Sequence, residues 1–279
     1  KLSIEADSNF PPGYANLAWA YVFLGRFSEA GNVIQQATKR KYEFPDLILL
    51  PYYIGFLNGD SGGMERQVTL ARDRPGAEDW LSNAQAFVLA SAGHLQAART
   101  MSRRAAGIAQ QGGQKERVAM FEAGAAVREA FFGNANDAGR SARAALALSS
   151  ARDVEYGAAF AAAISGDPTR SQPLANDLER RFPEDTCVNF SYIPVLRALA
   201  FLYKNDSASA IDLLQISTPY EMGVPCSWFG FFGNLYPAYV RGMANLSARD
   251  GVEDAAEFQK IVQYPTLVWS DPVGIVARL

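Results

Sequence analysis

Hydrophobic positions along the chain recur with helical spacing. Tyr14, Leu17, Ala18, Tyr21 and Leu24 fall at i, i+3, i+4, i+7 and i+10, one stripe of a 3.6-residue helix. Phe27, Ala30, Ile34 and Ala37 mark the packed face of a second helix. Gly25 stands between them, at the left-handed position that commonly closes a helix. Gly25, Gly59 and Gly93 lie 34 residues apart, and Gly133 and Gly166 continue the series at 40 and 33. Each unit therefore reads as a helical hairpin, and about seven are expected, starting near residues 12, 46, 79, 115, 153, 186 and 235. Ala30, Ala37, Ala98, Ala105, Ala138 and Ala145 let the helices approach closely, and stacked neighbours bury faces that one hairpin cannot bury alone. No strand pattern competes. The whole of residues 1–279 is thus expected to be a single all-α solenoid.

The residues Tyr14-Ala15-Asn16-Leu17-Ala18-Trp19-Ala20-Tyr21 and Leu24-Gly25-Arg26-Phe27-Ser28-Glu29-Ala30 resemble the 34-residue tetratricopeptide signature. The match recurs at Ala92-Gly93-His94-Leu95 and Phe132-Gly133-Asn134-Ala135, and again from Gly166-Asp167 to Phe182-Pro183; later, Asn205 takes the glycine position. The resemblance implies a right-handed superhelix of antiparallel helix pairs. Other stretches, among them Arg128-Glu129-Ala130-Phe131-Phe132-Gly133-Asn134 and Leu235-Tyr236-Pro237-Ala238-Tyr239, resemble the repeat half of bacterial eukaryote-like serine/threonine kinases. They are also similar to the repeat halves of some winged-helix regulators. That likeness implies a sensor or partner-binding half of a bacterial signalling protein, cytoplasmic or extracytoplasmic and often membrane-anchored. No Gly-rich nucleotide loop, His-Arg-Asp or Asp-Phe-Gly is present, so no phosphoryl-transfer role falls on any residue here.

Composition narrows the function. Lys and Arg number 26 against 29 Asp and Glu, which supplies neither surplus nor stripe of basic charge for nucleic acid. The longest apolar run, Leu47 to Leu57, is broken by Pro51 and is too short to insert into a membrane. The first residues read as the end of a helix and the last as an apolar run without a closing polar helix, as if the chain were cut from a larger protein. One histidine and two cysteines leave little for metal ligation or histidine chemistry, and no cofactor or catalytic residue is expected. His94 reads as a solvated turn residue, Glu184-Asp185 and Glu253-Asp254 as helix caps, and Gly62-Gly63 and Gly112-Gly113 as flexible turns. Cys187 and Cys226 read as two ordinary thiols, a disulfide being conceivable in an oxidising compartment.

The informative row is the inner wall, formed in this repeat type by the first helix of each hairpin. Its ninth position is Trp19, Tyr53, Phe87, Val127, Phe160, Leu199 and Met243, and its fifth adds Tyr156 and Tyr239. The Lys, Arg and Asn of a carboxylate clamp are missing from these sites. Two readings stand: an open groove for a protein or peptide with an apolar or aromatic segment, or rings packed as core. The stretch Tyr220 to Tyr236, with Trp228, Phe229, Phe231 and Phe232, is aromatic for a connection, and reads as a plug folded into that wall or as a surface offered to a partner. The expected function is a non-catalytic binding module; the rivals are a spacer or self-association arm, and an enzyme using Tyr53 or Tyr156 with an acid.

Overall fold

The computed structural model describes residues 4, 7, 9–72, 74, 76–227, 232–233, 235–249 and 251–279. Among them the only strand-like pairing is an isolated bridge between Ser227 and Phe232. The rest is helix and turn, in two compact units, Lys1–Gln85 and Ala86–Leu279.

The first unit holds α1 (Pro11–Phe23), α2 (Phe27–Lys39), α3 (Asp46–Asn58) and α4 (Ser61–Ala71), with α1 packed on α2 and α3 on α4. Pro11 and Pro12 open α1, where a missing N–H costs nothing. Gly25 ends it: at φ 70° its N–H reaches Val22 O, and Arg26 N bonds Tyr21 O at 2.8 Å, so the last carbonyls are satisfied without a further turn of helix. Ala30 and Ala37 are fully buried on α2. Trp19 Nε1 donates to Asp46 Oδ1 at 2.6 Å and ties the first hairpin to the second. Gly62 and Gly63 lie within α4, and the expected flexible turn is absent; the Asp60 carboxylate accepts from Gly63 N at 2.8 Å and starts the helix there.

α5 (Glu78–Ser91) carries the unit boundary. The second unit continues with α6 (Leu95–Gln111), α7 (Lys115–Phe131), α8 (Ala135–Leu148), α9 (Arg152–Ile164), α10 (Pro168–Arg181), α11 (Ile193–Tyr203), α12 (Ser207–Leu214), α13 (Tyr236–Ser247) and α14 (Gly251–Gln263). Two short turns of helix follow, α15 (Pro265–Val268) and α16 (Val273–Val276). The closing motif of α1 repeats: Asn134 N bonds Glu129 O at 2.9 Å after Gly133, and Asp206 N bonds Phe201 O at 3.0 Å after Asn205. Asn205 adopts φ 59° without being glycine, a conformation that asparagine tolerates best among side-chain-bearing residues. A π-helical turn, Val188–Tyr192, precedes α11, where Pro194 can donate no backbone hydrogen bond. Near the end, Arg241 on α13 is buried and holds Glu257 of α14 at 2.7 Å and Glu221 of the connection at 2.9 Å. No described helix is long and apolar enough to cross a membrane.

Candidate functional site

The inner-wall rings are placed in the interior. Trp19 and Tyr53 are buried in the first unit; Phe87, Tyr156 and Phe160 are buried in the second, and Tyr239 is half-buried. These residues therefore do not present an open groove. In the second unit the reason is visible in the packing. Phe160 meets Phe131 at 5.4 Å and Tyr236 at 4.4 Å between ring centroids, and Phe131 meets Tyr239 at 5.5 Å. Tyr156 stacks on Tyr192 at 3.6 Å, nearly parallel. Phe232, itself fully buried, approaches Gly157 so closely that an added Cβ would lie 2.9 Å from its Cζ. Trp228, Phe229 and Phe231 lie outside the described residues.

The segment bearing Phe232 is anchored covalently. Cys187 and Cys226, expected as free thiols, form a disulfide with Cα atoms 5.8 Å apart. Polar contacts hold the two segments beside it: Asp185 accepts from Val188 N and pairs with Arg152 at 2.8 Å, while Arg152 Nη2 donates to Cys226 O at 3.2 Å. One guanidinium thus brings both cysteine-bearing segments to α9, which no spacing rule could reveal.

Titratable groups also gather here. Burial pushes the Tyr156, Tyr192 and Tyr236 phenols well above their ordinary range, with Asp153 or Asp271 adding to it. Burial raises the Asp271 carboxyl to about 8, although Tyr236 and Val273 N donate to its Oδ1 at 3.2 and 3.0 Å. The Tyr156 hydroxyl and Asp271 Oδ2 have no hydrogen-bond partner. All three phenols are sealed from solvent, and held above their normal range they stay protonated at neutral pH, unavailable as general bases.

Open space lies elsewhere, between the second helices of successive hairpins. The first unit has a cavity of about 230 Å³ between α2 and α4, floored by Pro51 and Ile54 of α3. In the second unit α8 separates two such cavities. One face of α8, with Asp137, Arg140 and Ala144, borders a polar cavity of about 500 Å³ reaching to α6 and α7. The other, with Gly139, Ala142 and Leu146, borders an apolar cavity of about 430 Å³ reaching to Pro173 and Leu174 of α10.

The polar cavity is built around an ion-pair network. Glu129 accepts from Arg99 at 3.0 and 2.7 Å and from Asn134 at 3.0 Å. Burial alone would raise this carboxyl, but the Arg99 hydrogen bonds and the Arg128 charge hold it below the usual range. Asp137 also pairs with Arg99, at 2.9 Å, and with Arg140. None of these residues is expected from the repeat positions; the available signal was Arg128-Glu129, two charges in the last turns of the mostly apolar α7.

No protein-family model matches the sequence, and no curated protein matches it. A solved structure does: a tetratricopeptide repeat protein from Parabacteroides merdae ATCC 43184 superposes with a TM-score of 0.51 at 12% identity, covering 96% of this chain and 99% of that one. The chain is thus an all-α solenoid of tetratricopeptide-like helix pairs, and the likeness is one of fold.

Proposed function

We propose that the chain is a non-catalytic module that binds a protein or peptide partner. The observation that carries the reading is α8, an accessible helix flanked by a polar cavity on one side and an apolar cavity on the other, within a repeat fold suited to partner binding. A peptide crossing this ridge would place an apolar or aromatic side chain between α8 and α10 and a polar one between α6 and α8. The sealed inner wall favours this surface over the rings of Trp19, Tyr53, Phe87, Tyr156, Phe160 and Tyr239. Burial of the tyrosines likewise weighs against an enzyme acting through Tyr53 or Tyr156.

The test is selection of peptides from a displayed random library on the purified chain, followed by affinity measurement against Gly139→Trp. A Cβ at Gly139 meets only ordinary contacts, from 3.5 Å outward, so the bulk enters the apolar cavity beside α8 without backbone strain. Selected peptides are expected to carry an apolar or aromatic residue and to lose at least tenfold in affinity for the variant. An absence of selected binders, or binders indifferent to Gly139→Trp, overturns the reading. The sequence resemblance supports attachment of this module to a bacterial serine/threonine kinase or other signalling protein. Identification by mass spectrometry of the natural polypeptide that carries this segment tests it.

A further inference from the structure

We infer that the polar cavity between α6, α7 and α8 receives a single carboxylate from an acidic segment of the partner, an assignment that deepens the peptide-binding reading and rests on it. Arg128 is the key. Its side chain is 1% exposed, yet it keeps a guanidinium at the cavity, over the Phe87 ring at 5.9 Å and donating from Nη1 to Ser102 Oγ at 2.7 Å. Its Nε–H has no acceptor. A buried donor left unmatched is rare in a folded protein and costly to keep, so it calls for a partner that the chain itself does not supply.

The resident carboxylates do not supply that acceptor. Glu129 is already taken by Arg99 and Asn134 and touches Arg128 only at 3.4 Å from Nη2. Asp137 is shared between Arg99 and Arg140. Glu122 also lines the cavity, and its charge acts on Arg128 without a hydrogen bond. Arg103, at the exposed rim, donates to Thr100 Oγ1 at 3.4 Å and is in no ion pair among those the structure gives. Four guanidiniums against three carboxylates leave one positive charge over. A carboxylate matches that excess, whereas a phosphate dianion exceeds it and would face Glu122 and Asp137. Guanidinium pairs with carboxylate through two parallel N–H donors, which also fixes direction. The donors stand on the second helices α6 and α8 and on the cavity-facing side of α7, away from the inner-wall positions of the first helices.

The probes are acetyl-Phe-Gly-Glu-amide, its Gln counterpart and inorganic phosphate, each titrated into the full chain while the arginine Nε–Hε resonances are followed by NMR. The Glu peptide is expected to move the Arg128 and Arg103 signals saturably, with affinity at least tenfold above the Gln peptide and above phosphate. Arg103→Gln should weaken it at least fivefold with an unchanged far-ultraviolet spectrum, and Lys204→Gln, an equal loss of charge at the end of α11, should leave it unaltered. Equal response to the Glu and Gln peptides, tighter binding of phosphate, or indifference to Arg103→Gln overturns the assignment. The two readings fail separately: library peptides that bind at α8 without moving these signals remove the carboxylate site and keep the peptide module. A Glu-specific shift in a chain that selects no library peptide does the reverse.

Discussion

At Asp271 a carboxylate has been taken out of water with only one of its oxygens supplied with donors, and the cost appears in its titration. An aspartate in the unfolded chain titrates near ~4; in the fold, burial moves this one to about 8. Between those values the folded state holds a proton that the unfolded chain has released. Stability therefore falls as pH rises from about 4 to about 8 and levels off above, since the unfolded state binds fewer protons across that window. Asp271→Asn removes the charge at nearly constant shape. Its melting temperature is expected to match the parent near pH 4 to 5 and to exceed it at pH 8 to 9. Melting curves for the two proteins that run parallel across this range would contradict the assignment.

The helical hairpin is an element whose instructions are local. Period, closing glycine and buried alanine face all sit within one repeat, so helices begin at Pro11, Asp46, Glu78, Lys115 and Arg152, each within a residue of the reading from sequence. A test of that register is Ala30→Leu, which must overfill a fully buried contact on α2 and is expected to cost roughly 1–3 kcal/mol in denaturant unfolding. His94→Ala, at an exposed turn with no side-chain cap bond, should be nearly silent. The reverse order would place the wrong faces in contact. What sequence could not supply was the fate of the inner rings. Periodicity identifies an apolar face, but whether a later segment folds over it depends on contacts such as Phe232 against Gly157, made between distant parts of the chain. The disulfide belongs to the same class, because Arg152 and Asp185 bring its halves together from separate hairpins. The Arg128 cavity is illegible for another reason: Arg128 stands one place beyond the inner-row position Val127, where the repeat pattern specifies no charge.

At the scale of the molecule, the Ala86–Leu279 unit departs from the usual economy of repeat proteins. A stack of hairpins couples nearest neighbours only, so it can fray from an end and its stability is a sum of local terms. Here Phe131 of α7 touches Tyr236 and Tyr239 of α13, several hairpins further along, at 5.3 and 5.5 Å, and the disulfide spans 39 residues. Closing a loop of that length is worth about 4 kcal/mol in the chain-entropy description. Hydrogen exchange is expected to give the slowest amides of α7 and α13 the same opening free energy, and reduction with a thiol should lower that of α13 first. A graded series from one end to the other, unchanged by reductant, would show that the long contacts carry no weight. The consequence reaches the binding surface. In a one-dimensional array a ligand protects only the repeats it touches, but a unit that opens as a whole is stabilised as a whole by anything that binds its folded form. A peptide seated on α8 should therefore slow exchange in the most protected amides of α13, which it never meets, and so register at the far end of the unit as a gain in cooperativity.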